Sequence, residues 1–586
     1  MSSRQPPTFG PMNRRQLMGA TVIGGAAAVA LQSGSALGQE KPQDKPKAAA
    51  PSARPSTSAT VTTATNPNLS PPVVTVKGGR LRGLREAKTY SFLGIRYAEA
   101  ERFGQPKEVQ PWEGIKNAQV WGPVCPSPPS NTVGSDELVF PHRFWTANEN
   151  CQYLNVWTQN MSPAVKKPVM VWMHGGGFTN GSSMEGYAYD GRSLSEFGDV
   201  VVVSVNHRLN IIGTLDLSAY GPEYANSRQT GMADLVASLE WVHDNIEAFG
   251  GDPGNVMIFG QSGGGGKVVR LMHMPAAKGL FHRVSAQSGS TSYRGVDPAA
   301  SIKGQQALAA AVLKNLNLTG SQIDRLRAVP YLELLAAGTA AGQAVNRDLG
   351  MAVGGWNPIA DDQYVMREFC DWADNIPVIS GTVFSEMQGT LTRGDGRKNE
   401  WTQTEIDDNL TKAFGDKKND VVTEFKQAYP RKKIQDVLYY AGAQRGTSKS
   451  LLARKLEKGK APVYNYVYAW EYPINGGITA FHCSELAFCF HALNVPQIRT
   501  ATGGGPVAMA LEDKVAGAWV RFAKTGNPSQ PDLVWRQFTP DNPQAMVFDT
   551  VSESRPLHDD KLISMLPAVG GRGGGRGNAG PAGGRG

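Results

Sequence analysis

The segment Gly260-Gln261-Ser262-Gly263-Gly264 sets one serine among glycines. It follows the apolar run Asn255-Val256-Met257-Ile258-Phe259 and precedes Gly265–Met272, which has the pattern of a helix. Strand, G-x-S-x-G and helix in that order form a nucleophile elbow. The sharp turn holds the serine in strained backbone geometry, and larger side chains two residues to either side collide with neighbouring elements. The serine Oγ is left at a helix N-terminus, where developing negative charge is favoured. That chemistry is nucleophilic attack by Ser262.

A serine attacking a carbonyl needs donors for the oxyanion it creates. His174-Gly175-Gly176-Gly177-Phe178 follows the apolar run Val169–Met173, and adjacent glycine N–H groups can approach an oxyanion with no Cβ in the way. The hole is assigned to the backbone N–H groups of Gly176, Gly177 and Gly263, each worth on the order of 3 kcal/mol in the transition state. A base and an orienting acid are expected in the order Ser, Asp/Glu, His. Of nine histidines, those at 142, 174, 207 and 243 precede Ser262, and His273 and His282 follow it too closely. His482 stands after the strand-like run Val463–Trp470 and a loop, and is the expected base. His491, further on in an apolar stretch, reads as a packed histidine. Glu386 lies just beyond the strand-like Pro377–Phe384; Asp361 and Asp362 compete for the acid role but precede that strand.

These residues need a scaffold, and the chain from Pro71 onward alternates β-branched runs with helical patterns. This is the signature of an α/β protein with a central, mostly parallel sheet flanked by helices. Val169–Met173 and Val200–Val205 are continuous apolar runs, as in strands covered on both faces. Hydrophobic residues are 40% of the 586, which excludes wholesale disorder. The formal charge of +8 sits in the ends: residues 1–70 carry a net +5 and residues 567–586 a net +3. A neutral body has no general electrostatic reason to bind nucleic acid. Arg14-Arg15 and the short apolar run Gly19–Leu31 read as a twin-arginine-like export signal over 1–38, too short to span a membrane. Residues 39–70 read as a Pro/Ala/Ser/Thr-rich disordered linker, 71–566 as the catalytic domain and 567–586 as a Gly/Arg-rich disordered tail. Export places the mature protein in the periplasm or outside the cell, without stable membrane insertion once the signal is removed.

Several segments together resemble the type-B carboxylesterases, the α/β-hydrolases that include cholinesterases and bacterial para-nitrobenzyl esterases. They are Phe92–Ala98, Arg102-Phe103, Glu149–Val156, His174–Phe178, Asn206–Leu209, Trp241–Pro253, the elbow, and Gln287-Ser288-Gly289-Ser290. The resemblance covers about 71–566. It implies an α/β-hydrolase fold with Ser262 as nucleophile, His482 as base and Glu386 as acid. It further implies Gly176, Gly177 and Gly263 as oxyanion donors, Ser288 as a supporting serine near the triad, and a Cys125–Cys151 disulfide. Glu149 with Arg102, and Arg208 with Asp234, match structural ion pairs. The family's elbow commonly has Glu before the serine and Ala after it, where Gln261 and Gly263 stand here.

The expected activity is hydrolysis of small to medium carboxylic esters, aromatic ones included, through an acyl-enzyme, with no metal or organic cofactor. An acyltransferase or lipase would share the same triad, and a non-catalytic cholinesterase-like binding protein is the rival of a different class. Helical insertions over the active site are expected within 296–350 and 395–455, and Phe178, Trp356, Phe384 and Phe481 are candidates for an aromatic pocket lining.

Overall fold

The apolar runs become the middle of an eleven-stranded sheet. The computed structural model describes residues 70–566, apart from 129–136, 138, 139, 291, 350–355, 388–395 and 557. The expected export signal and tail, and all of the linker but its last residue, lie outside the described residues.

In chain order the strands are β1 (Leu84–Glu86), β2 (Thr89–Arg96), β3 (Tyr153–Thr158), β4 (Lys167–Met173), β5 (Val201–Val205), β6 (Gly251–Gln261), β7 (Arg283–Gln287), β8 (Val378–Val383), β9 (Val463–Tyr468), β10 (Gln544–Phe548) and β11 (Glu553–Pro556). Across the sheet they run β11-β10-β9-β8-β7-β6-β4-β5-β3-β2-β1. From β5 through β10 every pairing is parallel, and the pairings beyond, on both sides, are antiparallel. This is the mostly parallel sheet expected of an α/β-hydrolase. A separate three-stranded sheet joins Val73–Val76, Gly79–Arg82 and Ile115–Asn117.

Strand period explains why the central runs are apolar throughout. Met170 and Trp172 of β4, Val202 of β5, and Met257 and Phe259 of β6 face one core; Val169, Val171, Val201, Val203, Val256 and Ile258 face the other. Helices cover both faces. Helix α1 (Thr230–Asn245) brings Met232, Leu235 and Leu239 to the second core, with Val268 and Val269 of α2 (Gly263–Leu271). Of the later helices, α3 (Pro298–Asn315) and α4 (Tyr331–Leu349) fill the first expected insertion. They pack around Ile211, Ile212 and Leu215, just beyond β5. Helix α5 (Gly442–Lys458) starts inside the second expected insertion, runs past its end, and sends Leu451 and Leu452 to the core shared with α1. Helix α6 (Pro506–Thr525) lays Leu511, Val515, Trp519 and Phe522 on the first core. Each such side chain contributes about 1.5–3 kcal/mol by leaving water. No helix among the described residues is long and apolar enough to cross a membrane.

The two ion pairs implied by the resemblance are present. Arg102 Nε donates to Glu149 Oε2 at 2.7 Å and holds the carbonyls of Leu326 and Val329. Arg208, buried after β5, grips Asp234 of α1 through Nε at 2.8 Å and Nη2 at 2.6 Å, and donates to the carbonyls of Glu101 and Gly104. Removing one partner of such a pair strands the other charge in the interior. Asp234→Ala is therefore expected to lose about 3–5 kcal/mol of stability, read from urea unfolding midpoints. A loss below about 1 kcal/mol would mean that water reaches the guanidinium.

Cys125 and Cys151 are both buried, and no bond joins them in the structure. They lie close enough for Cys125 to act on the Cys151 thiol, which burial in the first place, and then Cys125, push well above its ordinary pKa. The Cys125 sulfur also meets the backbone: Leu209 N–H donates to it at 3.2 Å, and it faces Pro126 O at 3.6 Å.

Candidate active site

Four loops, at the carboxyl ends of β4, β6, β8 and β9, carry the expected residues. At the end of β6 the chain turns through Ser262, at φ 57° and ψ −122°, straight into α2. A non-glycine residue in this region stores on the order of 1–3 kcal/mol of strain, which neighbours must hold. They do so from both sides. Ser262 N–H donates to Gln287 O, the last residue of β7, at 2.8 Å, and Gly266 N–H donates to Ser262 O at 3.0 Å.

The loop after β4 lies alongside. Gly176, at φ 79°, accepts at its carbonyl from the N–H groups of Thr179 and Asn180 at 3.3 and 3.1 Å; a Cβ there would meet Asn180 O at 2.2 Å. The approach to the elbow is closer still. A Cβ at Gly263 would lie 2.3 Å from Gly177 O and 2.4 Å from its N and Cα. The space that the family commonly gives to an alanine methyl is thus occupied by the Gly177 backbone. Among the described residues, the N–H groups of Gly176, Gly177 and Gly263 have no hydrogen-bond acceptor.

The acid and the histidine are delivered by adjacent strands. Ser385 N–H donates to Ala480 O at 2.8 Å and His482 N–H to Glu386 O at 3.0 Å, so backbone bonds stitch the loop after β8 to the loop after β9. Glu386, at φ 47°, turns its carboxylate inward, where Oε1 accepts from Val383 N–H at 3.1 Å. Oε2 accepts from His482 Nδ1 at 2.5 Å. The carboxylate is buried while the imidazole side chain keeps 15% exposure, so the ring is reachable from solvent and the acid is not. The competing acids are engaged elsewhere. Asp361 accepts from the N–H groups of Gln363, Tyr364 and Val365 and pairs with Arg228 at 3.1 Å, and Asp362 pairs with Arg367 at 2.7 Å. His491 bonds Asp513 at 2.9 Å and stacks on Phe197.

Ser288 follows the residue whose carbonyl holds Ser262. Its N–H donates to Gly381 O at 2.9 Å, and its buried Oγ has no partner among the described residues. The aromatic candidates are corrected in part. Phe384 packs among Phe425, Tyr429 and Tyr440, and Phe481 against Tyr472, so both are core residues. Phe178 is also buried, 4.4 Å beneath the Arg270 guanidinium. Trp356 packs half-buried against the cluster of α3 and α4.

Other residues at the site are not legible in the motifs. Buried Gln261 lays its Nε2 over the imidazole, 3.3 and 3.4 Å from the two ring nitrogens of His482. Its Oε1 accepts from the Cys483 thiol at 3.2 Å, which fixes the amide's orientation. Strand alternation marks position 261 as buried, but nothing local says what it meets. Glu485, three residues past His482, is wholly buried. Burial first, then the nearby Glu386 charge, pushes its pKa up from 4.5 to about 7. Because the folded value is raised, Glu485's share of stability is whole below pH 4.5 and is lost as pH rises through about 7. Glu485→Gln, which keeps the shape of the neutral form, is expected to gain on the wild type by about 3 kcal/mol across that window. Paired urea titrations at about pH 5 and about pH 8 check this, and an unchanging difference would refute it.

Comparison with known proteins follows the same lines. The carboxylesterase family model matches residues 70–561. The chain is 30% identical over 515 residues to a para-nitrobenzyl esterase of Bacillus subtilis, covering 85% of this chain and 99% of that one. It is 28% identical to a phenmedipham hydrolase of Pseudarthrobacter oxydans, over 81% and 94% of the two chains. Among solved structures, an esterase of Clostridium hathewayi that can hydrolyse aliphatic aromatic polyesters is 42% identical, with a TM-score of 0.78 over 84% of this chain and 97% of that one.

Proposed function

The chain belongs to the carboxylesterase family and is a carboxylic ester hydrolase, and on that premise we propose that hydrolysis runs through Ser262, His482 and Glu386. The observation that carries this reading is the 2.5 Å contact between His482 Nδ1 and Glu386 Oε2, in loops stitched together beside a sheet whose elbow presents Ser262. His482 takes the Ser262 proton as Oγ attacks the ester carbonyl, and Glu386 fixes the tautomer and stabilises the imidazolium. The tetrahedral oxyanion is received by the N–H groups of Gly176, Gly177 and Gly263. The alcohol departs with the proton from His482, and water cleaves the acyl-enzyme by the same route. Gln261 puts a neutral amide against the imidazole, so Glu386 is the carboxylate that contacts the ring.

The substrates proposed are small to medium esters, aromatic ones included. Support comes from the similarity to an esterase active on aliphatic aromatic polyesters rather than from Phe384 or Phe481, which are spent on the core. Residues 1–38 are proposed to direct export by the twin-arginine route, with 39–70 a tether and 567–586 a solubilising tail. The test is kcat/KM of the purified mature protein on a panel of aliphatic and aromatic esters, with Ser262→Ala as control. Turnover that peaks on one class and vanishes in the variant supports the reading. Turnover that survives in the variant overturns it.

A further inference from the structure

Lys267 stands five residues after Ser262, in α2, and is wholly buried. Among the described residues its ammonium has no carboxylate partner; Nζ instead donates to His174 O at 2.8 Å and Gly175 O at 3.4 Å. The Phe178 ring centre lies 5.6 Å away. An ammonium so placed loses hydration that two carbonyls alone do not restore. Burial lowers its pKa to about 7; Glu185 acts against that shift and Arg270 with it. His174 and His207, their rings 5.2 Å apart, are kept neutral by burial and by Lys267 itself. Below about pH 7 Lys267 is thus a charge held behind this loop.

The bonded carbonyls indicate its use. The peptide unit that ends in Gly175 C=O is the one that begins with the Gly176 N–H. A cation on the carbonyl oxygen polarises the amide and makes its N–H a stronger donor. Positive charge behind the loop also opposes the negative charge that develops in front of it, in a dry region where such interactions are strong. We propose that Lys267 is a positioning residue for the oxyanion hole: its ammonium clamps His174 O and Gly175 O, fixing and polarising the peptide that presents the Gly176 N–H. This inference rests on the assignment of Gly176, Gly177 and Gly263 as oxyanion donors.

The test is Lys267→Gln, which keeps a donor and removes the charge, with working sites counted by fluorophosphonate titration. An aryl trifluoromethyl ketone, whose serine adduct places an oxyanion in the hole, is the transition-state probe. The expected result is a fall in kcat on the order of 10–100-fold, a matching rise in the ketone's Ki, and KM within about three-fold of wild type. A folded variant with kcat and Ki within about two-fold of wild type overturns the proposal, and so does a fall in kcat with Ki unchanged. Lys267→Met, which fills similar volume and removes a costly buried charge, is read by the same criteria where the Gln variant does not fold. Ser262→Ala is run beside them. Activity in that variant would defeat the assignment of the site, whereas an inactive Ser262→Ala with an unaffected Lys267 variant defeats this inference alone.

Discussion

Ser262→Ala is expected to lower kcat/KM for carboxylic esters by a factor on the order of 10⁴–10⁶, with the fold intact. The size follows from what the serine does: without Oγ there is no acyl-enzyme, and the remaining donors can assist only direct attack by water. His482→Ala removes the acceptor of the same proton and is expected to fall about as far, with the double variant no lower than either single one, because the pair acts as a unit. Glu386→Gln keeps the shape but not the charge that His482 Nδ1 meets at 2.5 Å, and is expected to lose about 10⁴-fold in kcat. The check is single-turnover acylation and steady-state kcat on one activated ester for the four variants and the wild type. Losses that multiply in the double variant would show that serine and histidine act in separate steps, and the proposed mechanism would fall.

Gly263→Ala should cut kcat on the order of 10²–10³-fold, although alanine is the residue the family commonly places after its nucleophile. The reason is local to this chain. The new methyl meets the Gly177 backbone at 2.3–2.4 Å, closer than any real contact, and both partners are backbone with no rotamer to yield. The loop after β4 must withdraw, taking the Gly176 and Gly177 donors away from the oxyanion. KM should change little, since the ground-state carbonyl depends less on these donors than the transition state does. Measured kcat together with the Ki of the trifluoromethyl ketone decides the matter. Wild-type values for both would show that the loop shifts freely and that its closeness to the elbow has no catalytic weight.

The elbow was legible in the sequence because it is a local structure. The strand, turn and helix that fix Ser262 occupy one short stretch, and their steric demands fall on residues within two positions of it. Chain order and the late strand pointed to His482, and the position of Glu386 past the end of β8 made it the stronger acid. The interior ion pairs of Arg102 and Arg208 were legible through resemblance, and both are present. Resemblance also sets Cys125 beside Cys151, and the structure places the two thiols together, with Cys125 meeting backbone groups that no motif names. Aromatic residues near the triad in sequence suggested a lining, yet the rings of Phe384 and Phe481 turn into the core.

Taken alone, the sequence determined the strand-helix alternation, the nucleophile's turn and the types of group that must serve it, since these depend on backbone sterics and burial period over a few residues. Tertiary structure decided what those groups touch. Gln261 lies against a histidine 221 residues away, and Lys267 bonds a carbonyl 93 residues before it. The sheet order sets β6 between β4 and β7, so the loops at its end come from distant parts of the chain. Whether a buried lysine or carboxyl is silent or useful depends on charges and carbonyls within a few ångströms, and those distances exist only once the sheet has closed around them.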